Sequence, residues 1–172
     1  MKANNLTISI PSRKTGPRCD KNCPYCISLM TPSVPFNYDA FFRNLDKARY
    51  LATATNANSV LLTGKGEPCL NFHLLVQAAM KFPEFPLELQ TNGLWLNKHP
   101  SAIKQLQAVG VNTIAISTDQ LWQASALDNV ISEIKNLSMT SRVSLNITDM
   151  ISKDIQLKEG TDIMKALIIV KG

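Results

Sequence analysis

Six short runs rich in β-branched residues and leucine recur along the chain: LTISI (6–10), SVLLT (59–63), LELQT (87–91), NTIAIS (112–117), RVSLNIT (142–148) and ALIIV (166–170). Turn-forming residues bound each run, as they bound strands. Between most of them the apolar residues fall at helical spacing. Alternating strands and helices predict a parallel sheet with crossover helices, because a parallel neighbour is reached only by a long connection. Six strands with no closing helix fit either an open sheet or an incomplete barrel.

The helices have readable starts and stops. The first is expected after Asn37, a good N-cap residue, with Phe41, Leu45, Ala48 and Leu51 as its apolar stripe. The second begins near Asn71 and carries Leu74, Leu75, Ala78 and Ala79. The third starts around Pro100, where proline is tolerated, and stops at Gly110. A fourth covers residues 120–137, and a weaker segment of one or two turns lies within 150–165.

In such folds, sites gather at the carboxyl ends of the strands. The unusual residues of this chain follow that rule. CDKNCPYC (19–26) follows the first strand and GKGEP (64–68) the second; TNG (91–93) ends the third and STD (117–119) the fourth.

Cys19, Cys23 and Cys26 stand in a C-x3-C-x2-C spacing, with Cys69 far off. The compartment decides how thiols are read. No apolar run approaches the roughly 18 residues of a membrane span, and MKANNLTISIPSRK has no long apolar core of a secretory signal. The expected location is the cytoplasm, with no membrane association. Thiols stay reduced there, and clustered cysteines bind metal or do chemistry. Three thiolates can hold three irons of a cubane and leave the fourth open to a ligand. A structural zinc site is the rival, with Cys69 or His73 as the fourth ligand.

At 172 residues, with 45% apolar and 18% charged content, one globular domain over 1–172 is expected, ending right after the sixth strand. The net charge of +5 reads as a soluble basic surface. No basic-aromatic RNA-binding motif stands out.

GKGEP puts two glycines, a glutamate and a proline straight after a strand. Glycines admit φ > 0 and close approach of a ligand to the backbone. The Glu67 carboxylate and the backbone around it can accept an ammonium or amide. Alone, such a turn is usually only a turn.

Together, the cysteine motif with Tyr25 before its last thiol and the Gly-Glu-Pro turn after the second strand resemble the radical S-adenosylmethionine (radical SAM) superfamily. The resemblance implies an α/β fold, a partial (β/α)6 TIM-like barrel with parallel strands. It implies that Cys19, Cys23 and Cys26 ligate a [4Fe–4S] cluster whose open iron chelates S-adenosylmethionine. It places Tyr25 near the adenine, and Gly64, Lys65, Gly66, Glu67 and Pro68 at the methionyl amino group. Ser117 matches a polar position that contacts ribose or carboxylate, Asn146 is expected to do similar work, and Thr91 and Asn92 line the same rim. The implied chemistry is reductive cleavage to methionine and a 5′-deoxyadenosyl radical, which takes a hydrogen atom from a substrate.

Lys65 departs from the family's Gly-Gly-Glu-Pro. If that position needs φ > 0, lysine costs about 1 kcal/mol. The electron donor implied is a flavodoxin or ferredoxin, and the basic residues Arg13, Lys14, Arg18 and Lys21 around the cysteine loop either attract such a partner or are simply solvated. A short barrel suits a protein or RNA substrate. Two other readings stand beside this one: a zinc-stabilised binding module without catalysis, and a degenerate member that holds a cluster and cleaves nothing. Cys69 is expected to be a packed small residue, His73 a helix-face residue, His99 a turn residue, and Trp95 and Trp122 packing residues.

Overall fold

A computed structural model describes residues 4–11, 18–21, 23, 26, 36–118 and 124–145. Among them, five strands form one sheet in the order of the chain: β1 (Asn5–Ile10), β2 (Ser59–Gly64), β3 (Leu87–Thr91), β4 (Val111–Thr118) and β5 (Thr140–Leu145). All neighbours are parallel. Sequential order has a topological consequence. Every crossover steps one strand in the same direction, so the right-handed rule sends every connecting helix to the same face. This is the arrangement of a partial TIM-like barrel, and among the described residues the sheet does not close.

Strand alternation sorts the side chains between the two faces. Ile8, Ile10, Val60, Leu62, Leu87, Leu89, Ile114 and Ile116 are buried on the helix side. Their partners in alternation, Thr7, Ser9, Leu61, Thr63, Glu88, Gln90, Thr113, Ala115 and Ser117, form a second, mostly polar face. Arg142 on β5 pairs with Glu88 on β3 across that face. A register shift between Leu87 and Glu88 fits β3 to β4.

The helices are α1 (Tyr38–Ala54), α2 (Phe72–Ala79), α3 (Leu94–Lys98), α4 (Ser101–Ala108) and α5 (Ala124–Asn136). Leu45 of α1, Leu74, Leu75, Ala78 and Ala79 of α2, Leu96 of α3, Ile103 and Leu106 of α4, and Val130 and Ile134 of α5 join the strand residues in one core. Asn37 caps α1 as its residue type foretold: its Oδ1 accepts from the Ala40 N–H at 2.9 Å. Leu51 does not belong to the buried stripe of that helix; it is half exposed on the outer surface. Pro68–Asn71 form a 3-10 turn ahead of α2, and the Asn71 side chain donates to the Pro11 carbonyl at 3.0 Å instead of capping the helix.

Two elements have bounds that the apolar runs did not give. α3 follows TNG directly, with Gly93 at φ +78 as its N-cap. β5 begins two residues ahead of RVSLNIT. Gly110, at φ +93, stands just beyond α4, where a left-handed residue turns the chain into β4. The segment 150–165 and the sixth run, 166–170, lie outside the described residues. No helix among the described residues is long and apolar enough to cross a membrane.

Candidate functional site

The carboxyl ends of β1 to β4 meet at one edge of the sheet, and three backbone and side-chain devices tie the chain after β1, the turn after β2 and the end of β3 together. The first is Gly66. Its φ is +118, and a Cβ placed there would come 2.2 Å from the Arg18 carbonyl oxygen. Only glycine fits. The close approach lets the Glu67 N–H donate to that same Arg18 carbonyl at 2.9 Å. The turn after β2 is thus stitched to the residue just before Cys19. Lys65 is not among the residues with positive φ, so lysine stands there without the strain that the family's glycine raised as a question.

The second device is Glu67, which is 4% exposed. Its Oε1 accepts from Thr91 Oγ1 at 2.7 Å and from the Cys69 N–H at 2.9 Å, and its Oε2 accepts from the Asn92 N–H at 2.8 Å. Burial raises the carboxyl above its ordinary pKa, and the donors from Asn92, Thr91 and Cys69 pull the other way. A carboxylate offers about four lone-pair sites. Three are taken and the Cys69 thiol also reaches the carboxylate, so Glu67 first braces the β2 turn against the end of β3. Thr91 extends the brace: its Oγ1 accepts from the Gly93 N–H at 3.1 Å and from Cys69 Sγ at 3.5 Å.

The third device is Asn92. Its Oδ1 accepts from the Leu94 N–H at 2.9 Å, which fixes the amide at the start of α3. Its Nδ2 donates to Asp20 Oδ1 at 2.7 Å and lies 3.6 Å from Cys19 Sγ. Cys19 Sγ also accepts from the Lys21 N–H at 3.4 Å. Further along the cysteine loop the Cys26 N–H donates to the Cys23 carbonyl at 3.1 Å.

These devices surround a cavity of about 230 Å³. Cys19, Cys23 and Cys26 line it from the loop after β1. Gly66, Glu67 and Pro68 line it from the β2 turn, Thr91 and Asn92 from β3, and Ser117 from β4. Gly64 and Lys65 are not among the lining residues; Gly64 packs beneath the turn against Ile10 and Pro68. Tyr25 and Asn146 lie outside the described residues. Three lining residues were not singled out from the sequence as site residues: Thr63, Gln90 and, apart from its charge, Lys21. Thr63 and Gln90 are adjacent on β2 and β3, with Thr63 Oγ1 donating to Gln90 Oε1 at 3.4 Å. Each stands on the polar face of its strand near the carboxyl end, and alternation counted back from the turn would have pointed to both.

All four cysteines are free; the three of the loop are half-buried and Cys69 is buried. Burial raises Cys19 above the ordinary thiol value, opposed by the Lys21 N–H. Burial beside Glu67 holds the Cys69 thiol well above its ordinary value, so that sulfur is a protonated core group. Cys69 does not line the cavity. His73 is exposed on α2 and does not line it either. Among the described residues, no group of three or more Cys, His, Asp or Glu converges as a ready site for one metal ion. His99 stacks on Trp95, which stacks on Phe72, at ring separations of 4.2 and 4.9 Å. That column is packing outside the cavity; Trp122 lies outside the described residues.

A parallel sheet with helices on one face, and a soft-ligand pocket at the carboxyl ends of its strands, defines a half-barrel α/β protein with a thiol-rich site. The family model described as Radical SAM superfamily matches residues 14–147, and the chain belongs to that superfamily. Its members generally use a [4Fe–4S] cluster and S-adenosylmethionine. No curated protein matches the chain.

Proposed function

We propose that this chain is a radical SAM enzyme in which Cys19, Cys23 and Cys26 ligate a [4Fe–4S] cluster and the rest of the pocket receives S-adenosylmethionine. The observation that carries this reading is that the three thiols of the C-x3-C-x2-C motif line the same cavity as Gly66, Glu67 and Pro68. The donor set fits the group. Thiolates are the ligands that iron–sulfur clusters take, and each thiol would bind its own iron, so the three sulfurs need not meet at one point. A single zinc ion does require that meeting, with Zn–S near 2.3 Å and four ligands. Cys69 is turned into the core and His73 lies outside the cavity, so neither supports the zinc reading with a fourth ligand.

When bound, the cluster supplies the electron that splits S-adenosylmethionine into methionine and a 5′-deoxyadenosyl radical. This chain's residues do the holding. The Glu67 carboxylate and the backbone at Gly66 and Pro68 suit the methionyl ammonium. Ser117 and Thr63 offer hydroxyls, and Gln90 a carboxamide, to the polar groups of the nucleoside or the substrate. Tyr25 and Asn146 are assigned to the same cofactor by the family pattern alone. Lys21, a cation at the cavity wall, suits a carboxylate of cofactor or substrate. A flavodoxin or ferredoxin is proposed as electron donor, and a protein or RNA as substrate, in a cytoplasmic setting.

The test is anaerobic. The protein is reconstituted with iron and sulfide, reduced and given S-adenosylmethionine, and 5′-deoxyadenosine is measured by mass spectrometry. Product in the wild type that disappears in Cys23→Ala is the expected result. A colourless protein that takes up one zinc and no iron would overturn the reading. A cluster without product would reduce it to the degenerate member.

A further inference from the structure

Among the described residues near the cysteine loop, Asn92 is held at three points. Its peptide N–H is tied to Glu67, its Oδ1 to the Leu94 N–H and its Nδ2 to Asp20. With the oxygen of the amide committed to α3 and one N–H committed to the Asp20 carboxylate, the orientation of the amide is fixed and cannot flip. Its Nδ2 then lies 3.6 Å from Cys19 Sγ, a distance suited to an N–H···S contact. Asn92 is therefore built to present a donor to one particular thiol of the three.

We infer that Asn92 tunes the reduction potential of the cluster through Cys19, with Asp20 as the residue that aims its amide. The inference rests on the ligation by Cys19, Cys23 and Cys26 proposed above. The physical argument is electrostatic. Reduction adds negative charge to the cluster, and part of that charge is carried on the ligating sulfurs. An N–H dipole pointed at a ligating sulfur stabilises the reduced form more than the oxidised form, and so raises the potential. The Lys21 N–H points at the same sulfur from the backbone, so two donors face Cys19 Sγ. Asn92 is a positioning residue here and not a catalytic one, since it acts through Cys19.

The sign of the effect separates this role from a merely structural one. Loss of the donor lowers the potential. Loss of packing alone admits water to the pocket, and water around a cluster stabilises the more highly charged reduced form and raises the potential. The experiment is a redox titration of the reconstituted protein, followed by the electron paramagnetic resonance signal of the reduced cluster, in wild type, Asn92→Ala and Asn92→Asp. Iron and sulfide content is measured in each.

Asn92→Asp keeps the acceptor for the Leu94 N–H and the size of the side chain, and replaces the donor with an anionic oxygen. It keeps the test open if Asn92→Ala fails to fold. The expected result is a midpoint more negative in Asn92→Ala than in wild type, and more negative again in Asn92→Asp. Midpoints that coincide, or that move upward, would overturn the inference while leaving the cluster itself established. A wild type that assembles no cluster would overturn the ligation first and the inference with it, and iron analysis tells the two failures apart.

Discussion

Glu67 is the residue on which the site's architecture turns. Three donors from three positions of the chain converge on one buried carboxylate. Glu67→Gln keeps an oxygen for Thr91 and Cys69 but sets an amide NH2 against the Asn92 N–H, leaving that donor unmet. The expected loss is about 1–3 kcal/mol, read by chemical denaturation of the protein. Its pH dependence has a definite sign. The folded pKa is raised, chiefly by burial, so over a window above the ordinary carboxylate value the folded chain holds a proton that the unfolded chain has lost. The contribution of Glu67 is fully present below the unfolded pKa and declines as pH rises through the raised folded pKa. The stability difference between wild type and Glu67→Gln should therefore shrink with rising pH across that window; a difference that grows would contradict the assignment.

The two positions before Glu67 make a contrasting pair. Gly66→Ala meets both a left-handed φ and the Arg18 carbonyl, and should cost about 2–4 kcal/mol. Lys65→Gly relieves nothing, because Lys65 does not have positive φ. It should lower stability by up to about 1 kcal/mol through the freer unfolded chain. A thermal-melt series on both variants checks the pair, and a stability gain in Lys65→Gly would show strain at that position.

Among the elements, α1 shows how local signals and tertiary context divide the work. Asn37 names its own job: a short side chain with an acceptor, placed before a helix, caps the free N–H groups of the first turn. Asn37→Ala should cost about 1 kcal/mol, measured as a lower denaturation midpoint at unchanged slope. The apolar stripe was legible as far as Leu45 and Ala48. Leu51 reads as a core residue by type and spacing, yet it is half exposed while the next residue, Ala52, is fully buried, because the buried stripe runs from Leu45 to Ala52, seven residues on, and Leu51 stands to the side of it. Arg49 with Glu84, and Lys81 with Asp46, bridge α1 to the chain between α2 and β3 at 2.7 Å each. Exposed pairs of this kind contribute little, so α1 is held by its apolar contacts. α3 escaped notice because five residues after a glycine carry too little period to be read.

At the scale of the whole molecule, sheet order converts sequence order into a site. Because β1 to β4 are neighbours in the order of the chain, their carboxyl ends fall side by side. Residues from Cys19 to Ser117 then line one cavity. The fourth cysteine gives the prediction that belongs here. Cys69→Ala should retain the full iron content of the reconstituted wild type, since Cys69 Sγ faces Thr91 inside the core. Iron analysis and the visible absorption of the cluster check this, and loss of metal would restore Cys69 to the ligand set.

The sequence by itself determined the parallel α/β class, most strand positions, the cap of α1 and the family motif of cysteines. These depend on neighbours along the chain: alternation, helical spacing, turn residues and the gaps between thiols. Only the tertiary structure decided that Glu67 is first a brace, that Lys65 is unstrained, and that the Asn92 amide is held by Asp20 beside Cys19. Those facts depend on what a folded chain places across a few ångströms from residues tens of positions apart. Burial, close approach and hydrogen-bond geometry have no signature in local sequence until the sheet has brought the turns together.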